Sequence, residues 1–91
     1  MSNYLPNYQK KLQTLARKKL ALKRLLDERP TQEEIVIASE AVRSSQIRAL
    51  EAKKAQIPPR EYNTYRIQAI EVEIQTCKRL SLAEIIAASS D

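Results

Sequence analysis

Residues 5–29 read LPNYQKKLQTLARKKLALKRLLDER, and this stretch decides the fold. Stepping through it by threes and fours picks out Leu5, Tyr8, Leu12, Leu15, Lys19, Leu22 and Leu26. That is one apolar line at heptad spacing, interrupted only by Lys19. Lys10, Arg17 and Arg24 recur every seven residues on the opposite side, and the reading sets Lys11 and Lys18 beside them. One side is to be buried, and the other is to face water or an acidic partner. Lys19 reads as a side chain whose stem lies along the apolar surface while its ammonium reaches water. The alternative is a buried lysine that sets register. Pro6 suits a first helical turn, where its missing N–H costs nothing, so a first helix is predicted over about 6–28.

The rest of the chain is punctuated by proline and by capping residues. Arg29-Pro30 ends the first helix, and Thr31-Gln32-Glu33-Glu34 has the form of a capping box. The connection is short, so the second helix, about 32–56, should return antiparallel to the first. Its main face is Ile35, Ala38, Ala41, Val42, Ser45, Ala49 and Ala52, with Leu50 at the margin and Val36, Ile37 and Ile47 off it. These small side chains allow another helix to approach closely. Ile57-Pro58-Pro59 ends that helix. A third helix, about 60–79, carries two apolar stripes: Ile67, Ile70, Ile74 and Cys77, and Tyr62, Tyr65, Ala69 and Val72. Such a helix either wedges between the first two or turns one stripe toward another chain. Ser81-Leu82-Ala83-Glu84 reads equally as the start of a short fourth helix, about 82–88, or as a continuation of the third. Residues 1–5 read as a tail, Tyr4 and Tyr8 as cover for the open end of the core, and residues 89–91 as a fraying end. The fold class is therefore all-α: a single domain over 1–91, an antiparallel bundle of three main helices and a short fourth.

Composition removes whole classes of chemistry. The chain has 91 residues and no glycine, which argues against β-hairpins and excludes glycine-rich phosphate loops. It has no histidine, the commonest general base and transition-metal ligand. Its one cysteine, Cys77, extends an isoleucine line and reads as a core residue. A lone thiol suits a reducing compartment, so a cytoplasmic location is expected. No secretory h-region opens the chain, and no apolar run approaches the ~20 residues of a membrane span. Glu71 and Glu73 are two apart on a helix and point in different directions, and Glu33 and Glu34 are explained by capping. No catalytic residues, metal site or cofactor are expected.

Charge supplies the functional expectation. The net charge is +5, and residues 1–30 hold eight Lys/Arg against Asp27 and Glu28 alone. Over the remainder the signs nearly cancel. The leading expectation is a non-enzymatic accessory or regulatory factor whose first helix presents Lys10, Lys11, Arg17, Lys18 and Arg24 to nucleic-acid phosphates, by charge and shape more than by base readout. Tyr62 and Tyr65, near Arg60 and Arg66, could stack bases. Their helical spacing favours plain packing at a bundle end. The alternative function is a protein–protein adaptor, or a small inhibitor or assembly factor, working through amphipathic helices. Self-association is expected, because the apolar lines exceed what a small monomer hides. The residues assigned to a partner or oligomer interface are Leu12, Leu15, Leu22, Leu26, Ile67, Ile70 and Ile74.

Overall fold

Caps and prolines set the helix limits. A computed structural model describes the backbone of residues 5–89 and side chains from residue 7 onward. It holds four α-helices, α1 (Leu5–Leu26), α2 (Gln32–Ala55), α3 (Thr64–Arg79) and α4 (Leu82–Ser89), and a 3₁₀ turn at Glu61–Asn63. Among the described residues there is no strand, and the all-α bundle is the architecture. Leu5, expected in the tail, instead opens α1, and Ser89, expected to fray, is buried in the last turn of α4, where its hydroxyl donates to the Ile85 carbonyl at 2.9 Å. The rest of the expected tail, the Tyr4 contact, the Leu5 side chain of the seam and the fraying of residues 90 and 91 lie outside the described residues.

α1 closes without a glycine. The Asp27 amide donates to the Arg24 carbonyl at 3.1 Å and the Glu28 amide to the Leu25 carbonyl at 2.9 Å, which tightens the last turn. Arg29 then takes a left-handed conformation, φ 55°, just before Pro30. Glycine ordinarily fills that place, and a side chain there costs on the order of 1 kcal/mol. The capping box at α2 forms as the sequence predicts: the Glu34 amide donates to Thr31 Oγ1 at 3.1 Å and the Thr31 amide to Glu34 Oε1 at 2.9 Å. The Thr31 amide and hydroxyl, both donating to it, hold the Glu34 carboxyl below the usual carboxylate range.

Two boundaries differ from, or decide between, the sequence expectations. The third helix begins at Thr64, not at about residue 60. The buried Asn63 side chain turns back, donating from Nδ2 to the Pro58 carbonyl at 3.0 Å, and the Arg60 amide bonds the same carbonyl at 2.8 Å. Residues 60–63 are thereby drawn into a tight turn. Downstream, Leu80 is extended, φ −62° and ψ 138°, and a second capping box starts α4 as a separate helix. The Ser81 amide donates to Glu84 Oε1 at 3.0 Å, and the Glu84 amide to Ser81 Oγ at 3.2 Å.

α2 is the central element. α1 packs along one side of it, α3 packs on another side without meeting α1, and α4 folds back onto both α1 and α2. The third helix therefore does not wedge between the first two. That place belongs to α4, whose Ile85 joins Leu22 and Val42 in the core, ringed by half-buried Leu15, Leu26, Ala38, Leu80, Leu82 and Ile86. Burying one such isoleucine stabilises by roughly 1.5–3 kcal/mol, so eight residues of α4 close the leucine seam that α3 leaves open. On α2, Ala49, Ala52 and Ser45 are buried as expected, and so is Ser39, which lies off the predicted face. Its hydroxyl, fully enclosed, has no hydrogen-bond partner.

Of the two stripes on α3, one is internal. Ile70, Ile74 and Cys77 are buried against α2, and Ile67 is half-buried. The other stripe faces water: Tyr62 is 73%, Tyr65 84% and Val72 64% exposed. Arg43 of α2 fastens the end of α3. Its guanidinium donates from one terminal nitrogen to the carbonyls of Cys77 (3.0 Å) and Lys78 (2.9 Å), and its Nε pairs with Glu40 at 2.9 Å. A cation on the last carbonyls satisfies acceptors that lack a partner within the helix and meets the negative end of its dipole.

Candidate nucleic-acid interface

The basic residues of α1 are separated by helical geometry into two sets. Successive residues advance by about 100°. With Leu22 taken as the inward direction, Lys10, Arg17 and Arg24 fall within about 40° of one another, some 120–160° away from it. All three are exposed, and they form a row about 21 Å long at 1.5 Å per residue. Lys11 and Lys18 fall instead within about 40° of Leu22. Lys11 is accordingly half-buried. Lys18 is exposed but lines a groove of about 370 Å³ between α1 and α2, with Ala21, Leu25, Glu34, Ile37, Ala38 and Ala41. The five residues expected on one face thus divide into an outward row of three and a pair on the Leu22 side of the helix. The spacing itself gives this division, because eleven residues make just over three whole turns and carry Lys11 round beside Leu22.

The row is electrostatically uncompensated. Among the described residues the ion pairs are Arg43–Glu40 at 2.9 Å and Lys54–Glu71 at 2.8 Å, both away from α1. Glu34 and Glu84 are committed to their caps. Lys19 is half-buried within the seam, in line with Leu15 and Leu22.

The residues assigned to a partner or oligomer interface are mostly taken up inside one chain. Leu22, Ile70 and Ile74 are buried, while Leu15, Leu26 and Ile67 are half-buried. Leu12 stays 40% exposed. The tyrosines go the other way. Tyr62 and Tyr65 do not pack at a bundle end but stand in solvent, whereas Tyr8 is half-buried. Sequence reasoning missed the role of Arg43, which bonds residues 34 and 35 positions away; no local pattern announces such a contact.

Chemistry at the other candidates is muted. Cys77 is 2% exposed, and burial pushes its thiol up from the usual range, partly offset by the nearby Arg43 charge. A raised thiol is a poor nucleophile at neutral pH. Glu71 is paired with Lys54. Among the described residues no group of Cys, Asp and Glu is placed to hold a metal ion, and no helix is long and apolar enough to cross a membrane. In comparison with known proteins, no family model matches the chain, and no significant match is found to a curated protein or to a solved structure.

Proposed function

We propose that this protein is a non-enzymatic nucleic-acid-binding accessory factor that uses the row Lys10, Arg17 and Arg24 on α1. The observation that carries this reading is that the three cations lie exposed in one line, opposite the buried Leu22, with no carboxylate of the described chain paired to them. A rigid row of cations about 21 Å long can meet phosphates spaced ~7 Å apart on one strand without ordering a loop first. Lys11 and Lys18 would then contribute less than the outward three. A reducing, cytoplasmic setting suits a chain whose only cysteine is buried and free.

The test is fluorescence anisotropy with short DNA and RNA, duplex and single-stranded, on protein stripped of carried-over nucleic acid. If three phosphates are neutralised, affinity for duplex DNA should fall roughly 40-fold between about 50 and 200 mM salt. Changing Lys10, Arg17 and Arg24 together to glutamine should remove most of the binding and flatten that slope, while Lys11→Gln with Lys18→Gln should change it little. Unchanged affinity in the triple variant refutes the assignment.

A protein–protein adaptor is the second reading, and the groove between α1 and α2 supports it. Ile37, at 64% exposure, and Leu25 offer apolar contact there, beside Lys18 and Glu34. Binding in that groove should weaken little with salt and should fail on Ile37→Glu.

A further inference from the structure

The exposed side of α3 carries a regular pattern. Tyr62, Tyr65, Ala69, Val72, Thr76 and Arg79 follow one another at steps of three, four, three, four and three, and all six are exposed. That is an a/d heptad seam, the surface along which two helices interlock. Tyr65 through Arg79 lie on α3 itself, and Tyr62 extends the line from the preceding 3₁₀ turn. We propose that α3 pairs with α3 of a second copy, antiparallel, about a two-fold axis near residues 70 and 71.

The occupant is a second copy because the pattern complements itself. An isologous pairing brings each seam residue opposite its counterpart across the axis: Ala69 against Val72, Tyr65 against Thr76, and Tyr62 against Arg79 of the other chain. The small Ala69 gives room to Val72, and the Arg79 guanidinium meets a tyrosine ring instead of another cation. On one flank of the seam stand Arg66 and Glu73, both exposed, neither in an ion pair among the described residues. Antiparallel pairing sets Arg66 of each copy beside Glu73 of the other, twice. A parallel pairing would bring Arg79 onto Arg79 within the seam, a like-charge contact that disfavours it. The opposite face of α3 is already buried against α2, so the helix can join two layers.

Within one chain α1 and α3 are not in contact, so a dimer paired through α3 is expected to carry two Lys10–Arg17–Arg24 rows. Contact along about 21 Å of helix is small, at or below roughly 1,200 Å² in total. The dimer is accordingly expected to dissociate in the micromolar to high-micromolar range.

Sedimentation velocity from about 5 to 500 µM, in moderate salt and without nucleic acid, tests this. The expected result is a reversible monomer–dimer equilibrium. Val72→Glu should leave the helical circular dichroism and melting temperature unchanged, because the side chain is exposed, and should leave the protein monomeric throughout. Arg66→Glu alone and Glu73→Arg alone should each weaken the dimer several-fold, and the double variant R66E/E73R should restore it, because the exchange conserves both ion pairs only in the antiparallel arrangement. A monomer at every concentration overturns the proposal, including the case where Tyr65→Ala lowers nucleic-acid affinity and the stripe is a base-stacking surface. A dimer that survives Val72→Glu places the contact on another face and also overturns it. Failure of the double exchange to restore what each single change weakens overturns the antiparallel geometry.

Discussion

Replacing Arg43 by methionine should destabilise the fold far more than the loss of a surface ion pair. Methionine keeps the apolar stem of the side chain and removes only the guanidinium. Arg43 is mostly enclosed, its side chain 16% exposed, and its head group bonds the carbonyls of Cys77 and Lys78 at 3.0 and 2.9 Å. A hydrogen bond to a charged group contributes roughly 1.5–3 kcal/mol net, and the favourable position at a helix C-terminus adds about 0.3–1. The two bonds share one nitrogen and are not additive, and the Lys78 carbonyl can be reached by water, so the expected loss is about 2–4 kcal/mol. A 91-residue domain holds only about 5–14 kcal/mol in all. The melting temperature should therefore fall by about 10–25 °C, read by circular dichroism at 222 nm and checked by urea titration with an unchanged slope. Glu40→Ala removes the exposed partner at Nε and should cost no more than about 0.5 kcal/mol. Arg43→Lys keeps a charge but not the fixed fork and should fall between the two. A loss below about 0.5 kcal/mol for Arg43→Met, or an equal loss for Glu40→Ala, would refute the claim that this contact fastens α3 to α2.

Three further outcomes follow from the packing. Ile85→Ala should cost about 2–5 kcal/mol in urea unfolding, because Ile85 fills the space over Leu22 and Val42; a loss under 1 would mean α4 does not close the core. Ser39→Ala should raise stability by about 1 kcal/mol, a few degrees of melting temperature, by removing an enclosed hydroxyl that has no partner; a lower melting temperature would show that the hydroxyl is satisfied. Stability should decline as the pH falls below about 4.5, because the Glu34 and Glu84 carboxyls are held below that ordinary value in the fold and must be protonated against their caps. Depressed carboxyls contribute above the unfolded pKa and lose that contribution as pH falls through the folded one, so Glu34→Gln with Glu84→Gln should be less stable at pH 7 and show a shallower acid limb.

The local signals in the sequence were sufficient for the helices and insufficient for their arrangement. A capping box is a contact between residues three apart, so Thr31–Glu34 can be read directly from four letters. Pro30 and Pro58-Pro59 break helices for reasons that lie within the residue itself. Where a longer contact decides, the reading fails. Asn63 turns inward to the Pro58 carbonyl and delays α3 by several residues, although its sequence permits an earlier start. Two apolar stripes on the third helix allow it either to wedge between the first two helices or to turn one stripe toward another chain, and nothing local chooses between these. The structure gives the seam to α4, because Arg43 and the buried line of Ile70, Ile74 and Cys77 hold α3 to the far side of α2. Apolar residues announce that they will be covered; they do not say by what.

The same distinction separates the two surfaces of this molecule. For Lys10, Arg17 and Arg24 a single helix is enough: seven-residue spacing puts them in one row wherever α1 packs, and the same geometry sets Lys11 and Lys18 apart from it, beside Leu22. The stripe Tyr62, Tyr65, Ala69 and Val72 is also legible as a stripe, yet its role turns on the other stripe of α3. Once Ile70, Ile74 and Cys77 face α2, helical geometry leaves the tyrosines no path back to the core. They remain 73% and 84% exposed. Two tyrosines three residues apart and a valine stand in water in heptad register, with Arg66 and Glu73 seven residues apart on one flank. The proposed pairing would give them a contact outside the chain, and the exchange of Arg66 with Glu73 asks whether that contact is with the chain's own copy.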